Sequence, residues 1–225
     1  MKLRLEDKRK AIELRIQGNT YREIINLIPN LPKSTLSGWL KNVKLTPKQK
    51  ERLNKNIKKI TYNARVKSAW TKKKTKEKKI KNIFKQAEKE YLLLAKNELF
   101  LIGLILYWAE GNRKTEMFQF TNSDPRAIKA MLNWLTKICK IPKKDIKIRL
   151  YIHKIYAHEN HEKFWSEITK IPIDKFQKTI YKPTPHKIKK KLDYKGCIQL
   201  RILKTNFYWK VMAWIDILTK KYKFI

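Results

Sequence analysis

Acidic residues are scarce in this chain. Its 225 residues include 19 Asp and Glu against 55 Lys and Arg, a formal net charge of +36. An enzyme acting on small neutral or cationic substrates has no use for such a field. A polyanion is steered in by it, and nucleic acid is the polyanion that fits best. Base-composition bias can enrich lysine, which supplies most of the charge, but does not by itself deplete Asp and Glu. Cysteine is nearly absent too. Cys139 and Cys197 lie far apart with no CxxC and no Cys/His array around them, which argues against structural zinc and points to a reducing compartment. No apolar run approaches the roughly 18 residues a membrane span needs, and the charged stretch Met1 to Lys10 is followed by no apolar segment of signal-peptide type. The expectation is a cytoplasmic protein with no membrane partner, associated with the nucleoid through DNA. Histidine is equally sparse: His158 and His161 stand one helical turn apart, and with no third ligand identifiable they read as a solvated helix face.

What is present suffices for folded cores. The chain is 42% apolar, with seven Trp, ten Tyr and eight Phe, over a length of one to two domains. Glu6 to Gly18 reads as a first helix, with Ala11, Ile12, Leu14 and Ile16 on its apolar side and Gly18 at the C′ position. Thr20 to Glu23 is a capping box opening a second helix through Ile24, Ile25 and Ile28. Pro29 and Pro32 bound a turn, and Lys33 to Val43 is a third helix with Leu36, Trp39, Leu40 and Val43 at i, i+3, i+4, i+7 spacing. Three short helices, the last beginning with small polar residues, form the pattern of a helix-turn-helix. Its third helix enters the major groove, and the first residues there must be short or basic to reach base edges and phosphates. Lys33, Ser34, Thr35, Ser37 and Lys41 are the expected contacts. A three-helix module that binds protein is the alternative, disfavoured by the charge. With GNTYREI followed by PKSTLSGWL, the segment resembles the resolvase-type helix-turn-helix family.

Residues 46–96 read as a helical, lysine-rich connector containing the run KKKTKEKK, with no apolar stripe wide enough for a core of its own. Tyr62, Trp70 and Phe84, spaced among the lysines, suit a helix lying along a phosphate backbone. A merely solvated basic run is the alternative.

The most apolar stretch is Leu99 to Gly111, LFLIGLILYWAEG. A helix apolar all round is buried on several sides, so this one should pack against its own domain on one face and a second helix on another. Glu110 in its last turn is costly to desolvate and is expected to meet a positive partner or a metal. Alternatively, Gly111 is a left-handed cap and Glu110 reaches solvent. The stretch resembles the signature helix of the LAGLIDADG homing-endonuclease family, Ala109, Glu110 and Gly111 matching its small-acid-glycine ending. The motif's inner glycine falls at Ile105 and its earlier acid at Trp108, while Gly103 lies two residues out of register. The resemblance implies that two such helices pack side by side, here as a homodimer interface containing Gly103, Leu106 and Ala109. It also implies that Glu110 of each copy binds Mg²⁺ for phosphodiester hydrolysis of double-stranded DNA.

Beyond Gly111 the pattern alternates. Glu116 to Asp124 reads as a strand, and Asp124 or Ser123 caps a helix running from Pro125 to Ile138. Ile146 to His153 is the clearest strand, with Ile146, Ile148, Leu150 and Ile152 on one face and Lys147, Arg149, Tyr151 and His153 on the other. A helix at Glu159 to Thr169 turns Phe164, Trp165 and Ile168 inward. Strands at Phe176 to Lys182 and Cys197 to Leu203 flank a lysine-rich loop with Pro183, Pro185 and Gly196, and a helix from Phe207 to Lys221 closes the chain with Trp209, Met212, Ala213, Ile215 and Ile217 as apolar cover. This order matches the family's helices and paired strands apart from an extra helix between the first two strands. Helices on one face of the sheet leave the other free, with Arg149, Tyr151, His153, Lys178, Lys182, Gln199 and Arg201 outward, suited to phosphates and base edges. An ordinary polar sheet face is the alternative. Lys182 or Lys204, near strand ends, could neutralise charge at a scissile phosphate.

The chain is thus read as α+β. Residues 1–45 form a three-helix helix-turn-helix, 46–96 a basic helical linker, and 97–225 a single LAGLIDADG-like unit, an antiparallel sheet with helices on one face. With one signature helix, a two-sided site requires a homodimer. A transcription regulator that binds DNA without cutting it is the reading from a different class, and an RNA-binding factor a third.

Overall fold

The computed structural model describes residues 4–184, 191 and 193–223, so Pro185 of the expected loop lies outside the described residues. The fold is α+β, with eight α-helices and a four-stranded mixed sheet among the described residues. Two compact units divide between Lys76 and Glu77.

In the first unit, α1 (Leu5–Ile16), α2 (Tyr21–Leu27) and α3 (Lys33–Leu40) enclose Ala11, Ile24, Ile28, Leu31, Leu36 and Leu40. Ile16, expected on the apolar side of α1, is exposed. Gly18 ends α1 at φ 88, and the amides of Gly18 and Asn19 donate back to the carbonyls of Arg15 and Leu14. That double bond satisfies the helix's last carbonyls and requires the left-handed residue. Thr20 and Glu23 close the capping box of α2, the Thr20 amide donating to Glu23 Oε2 at 2.8 Å. These bonds hold the Glu23 carboxyl below its ordinary range. Asn56, in the early turns of α4 (Pro47–Leu94), donates to the Gly18 carbonyl at 3.2 Å and to Glu23 Oε2 at 3.1 Å. The turn between α1 and α2 is thereby fastened from outside.

The second unit contains the last turns of α4, then α5 (Glu98–Glu110), β1 (Phe118–Asn122), α6 (Pro125–Asn133), β2 (Lys147–His153), α7 (His161–Thr169), β3 (Phe176–Lys182), β4 (Cys197–Ile202) and α8 (Thr205–Lys221). Asp124 caps α6 by accepting the Arg126 amide at 2.8 Å, with Pro125 at the first helical position. The expected continuation to Ile138 is a π-helical turn, closed by the Cys139 amide on the Trp134 carbonyl.

The sheet order is β1-β4-β2-β3. Here the expected antiparallel sheet needs correction: β2 and β3 are parallel. The reason is connectivity, because α7 carries the chain back across the sheet, and a helical crossover yields parallel strands where a hairpin yields antiparallel ones. The two helix-to-strand passages end alike. Lys140 (φ 54) and Lys170 (φ 55) are each followed by Ile-Pro, a single 3₁₀ turn and a strand.

One sheet face and the surrounding helices bury Trp134, Trp165, Trp214, Tyr107, Phe100, Phe118 and Phe120. Phe84, expected among the lysines of a phosphate-tracking helix, instead packs half-buried on this core. The Trp214 indole, unsingled by periodicity, donates to the Ala87 carbonyl at 3.1 Å and ties α8 to the end of α4. The Trp165 indole donates to the Lys195 carbonyl at 2.7 Å.

Helix α5 is buried on one side only. Phe100, Gly103, Leu104 and Tyr107 face the core, while Ile102 and Ile105 are 49% and 50% exposed. Gly103 is therefore corrected from the dimer interface to the interior. A Cβ there would collide with the Trp134 indole ring, so the glycine is what lets α6 approach α5. Gly111 is no left-handed cap. It is extended at φ −74, its amide donating to the Tyr107 carbonyl at 2.7 Å, and it bridges to Phe120, so the chain passes from helix directly onto the sheet edge.

Gly103→Ala should destabilise the second unit by about 1–3 kcal/mol, the usual cost of overpacking a filled core. Denaturant unfolding of the variant checks this, and Ile105→Ala, half-exposed on the same helix, should cost less.

Candidate nucleic-acid interface

In the first unit, α3 presents Lys33, Ser34, Ser37 and Lys41 to solvent, while Thr35 turns half inward. Ser34, Ser37 and Lys41 share a face at i, i+3, i+7. Pro32 precedes the helix and no side chain caps it, which leaves first-turn amides open to an outside acceptor. A surface of short hydroxyls and terminal lysines can approach a groove floor without steric obstruction.

In the second unit the sheet's free face is built by alternation. Phe118, Phe120, Ile148, Leu150, Ile152, Ile198, Leu200 and Ile202 point to the core. Register sets their neighbours opposite each other on the far side: Gln119 with Arg201, Thr121 with Gln199, Lys147 with Arg201, Arg149 with Gln199 and Gln177, His153 with Lys182. Among the described residues no strand contains an aspartate or glutamate. Amides and hydroxyls form a lattice between the cations. The Tyr151 hydroxyl donates to Gln199 Oε1 at 3.2 Å, the Gln199 amide donates to Thr121 Oγ1 at 3.2 Å, and an Arg201 Nη donates to Gln177 Oε1 at 3.3 Å. The Lys182 ammonium lies 5.4 Å from the centre of the Tyr151 ring, and His153 Nδ1 is 3.1 Å from the Pro183 carbonyl oxygen.

Two features of this face are unfavourable for the fold alone. Lys147 stands directly across from Arg201, and like charges opposite one another weaken a strand pair. Arg149 Nε and Arg201 Nε are buried and make no hydrogen bond to another group of the protein, which leaves both as donors for an outside acceptor. A phosphate or a base acceptor edge would do both jobs, screening the charges and filling the vacant donors.

The sequence-derived set shifts in one place. Pairing between β2 and β3 slips between Arg149 and Tyr151, so Gln177 takes the position next to Arg149 and Lys178 falls at the slip, exposed on the edge strand. Thr121 and Gln177 join the face beside Lys147, while Gln119 is buried with its Oε1 accepting from Asn112 Nδ2 at 2.8 Å. Strict alternation along β1 signals Thr121; the slip that selects Gln177 has no local sequence signature.

Glu110 ends α5 and is exposed. Of the two expectations for it, burial beside a positive partner or metal gives way to the one in which it reaches solvent, because the outer side of α5 faces solvent. Gly111 borders β1, whereas Lys182 lies on β3, four strand spacings away, about 19 Å. Within one protomer the sheet keeps Lys182 away from Glu110. Lys204 donates to Asp145 Oδ2 at 2.7 Å, an ion pair that holds the Asp145 carboxyl below its ordinary range. Among the described residues no three His, Cys, Asp or Glu side chains gather. His158 is exposed, but His161 is buried beneath Tyr156 with Nε2 3.3 Å from Glu159, so the pair is not a solvated face. No helix among the described residues is long and apolar enough to cross a membrane. Comparison with family models, characterised proteins and solved structures found no match to this chain.

Arg201→Gln should leave stability unchanged or raise it by up to about 0.5 kcal/mol, by removing one of two opposed cations. If the face binds duplex DNA, the same change lowers affinity and reduces the log–log salt slope by about 1. Thermal melting and binding titrations from low to physiological salt read both.

Proposed function

We propose that this chain is a sequence-specific double-stranded DNA-binding protein that acts as a homodimer and cleaves DNA with Mg²⁺. The observation that carries the DNA reading is the acid-free sheet face, with its two buried guanidinium nitrogens left without acceptors. In this reading α3 supplies a second reader through Lys33, Ser34, Ser37 and Lys41. Arg149, Arg201 and Lys147 hold phosphates, and Gln177 and Gln199 offer amide edges to bases. The exposed Tyr62 and Trp70 on the lysine-rich α4 add affinity that does not depend on sequence. A helix-turn-helix joined to a unit similar to that of the LAGLIDADG endonucleases is the architecture this implies.

Dimerisation rests on α5. Ile102, Ile105 and Ala109 stand exposed at i, i+3, i+7 on the side away from the core, with the half-buried Leu106 at its margin, an apolar stripe that a second copy of the same helix would cover. Glu110 follows that stripe by one residue, so pairing would bring two copies of it together.

A single carboxylate suits Mg²⁺, which takes one or two protein carboxylates and completes its shell with water and phosphate oxygens. Glu110 also sits at a helix C-terminus, where the backbone carbonyls favour a cation. Bound there, the metal would stabilise charge on the phosphate and activate water. The chain's own contributions are the Glu110 oxygen donors and the cationic face that positions the duplex. The second reading is a regulator that binds without cutting. One observation favours it: among the described residues no three His, Cys, Asp or Glu side chains gather around Glu110, and Lys204 is engaged by Asp145 instead.

A randomised duplex library, incubated with and without Mg²⁺ and sorted into bound and cut molecules, tests the proposal. Sites enriched and cut only with Mg²⁺ support the nuclease, and Glu110→Gln should then abolish cutting while leaving affinity within about threefold. Enrichment without cutting supports the regulator. Enrichment lost to structured RNA in competition points to the RNA-binding class.

Ile105→Asp should convert dimers to monomers in sedimentation without lowering the melting temperature of the protomer, because the side chain already faces solvent.

A further inference from the structure

Of the chain's five glycines, four have reasons inside the molecule. Gly18 and Gly196 lie at φ 88 and 77, Gly103 makes room for Trp134, and Gly111 for Tyr107. Gly38 has none. It sits inside α3 with helical backbone, and a Cβ built on it would meet nothing within 4 Å. Glycine is the least favourable residue of a helix interior after proline, and α3 is only eight residues long with no side-chain cap. The fold alone would do better with alanine.

The position of Gly38 explains the choice. It lies on the exposed side of α3, beside Ser37 and one turn after Ser34. Two short hydroxyl residues and a bare Cα make this the lowest-relief strip of the helix, bounded by Lys33 and Lys41. A helix that enters the major groove must bring part of its backbone close to base edges, and the side chain at the point of closest approach has to be smallest.

We infer that Gly38 is a specificity-determining residue, the point at which the α3 backbone comes into van der Waals contact with a base edge of duplex DNA. The inference rests on the DNA-binding reading of α3 proposed above. A methyl group added there improves the helix and obstructs the groove, so stability and recognition move in opposite directions.

The test compares the full-length protein with Gly38→Ala. Duplexes selected by the wild-type chain from a random library are titrated against both proteins, alongside a scrambled duplex at the same salt. Gly38→Ala should raise the melting temperature by about 2–4 °C, weaken binding to the selected duplex at least tenfold, and leave the scrambled duplex within twofold. Equal affinity of both proteins for the selected duplex overturns the role of Gly38 while the DNA reading stands. A fall in melting temperature also overturns it, because the glycine then serves the fold. If the wild-type chain selects no duplex, the DNA reading itself fails and takes this role with it.

Discussion

The second unit depends on the contact between a bare Cα and an indole. Gly103 lets the Trp134 ring lie against α5 where any side chain would collide with it. From that contact the aromatic core is continuous: Trp134 packs on Phe118, Phe207 and Trp214, and Tyr107 stacks on Phe118 at 4.3 Å. Large flat rings bury much area but tolerate little displacement, since a filled interior has few voids to absorb movement. The sheet is held from one side by this cluster. Its other side is consequently free of any duty to the core.

That freedom accounts for the chemistry of the outer face. A strand pair selected for stability would place opposite charges or β-branched residues across from one another. Here Lys147 faces Arg201, and glutamines occupy positions between the cations.

Much of this was legible in the sequence, and the failures have physical causes. Local signals were reliable: the Thr20–Glu23 box, Gly18 as a C-terminal cap and the alternation of residues 146–153 all form as their chemistry dictates. Long-range pairing was not, since nothing in the strand sequences states that α7 returns the chain parallel. The uniform apolarity of α5 reads as one face on its own domain and another on a second helix; within the protomer the Phe100–Leu104–Tyr107 side is buried, Leu101, Leu106 and Trp108 are partly covered, and Ile102 and Ile105 are left exposed. Glycine was ambiguous for a similar reason: the residue type of Gly103 announces a close contact but not its direction, which only the position of Trp134 decides.

The register slip between β2 and β3 has a consequence for solubility. A sheet ends in two strands whose outer backbone groups invite further strands, and such edges seed aggregation unless they are blunted. One edge is closed by Gly111 bridging to Phe120. The other, β3, carries the irregularity, and its Lys178 and Lys182 are exposed. A kinked, lysine-bearing edge is a poor template for a neighbouring strand, and two such edges repel. Copies of this protein are thereby discouraged from meeting edge to edge.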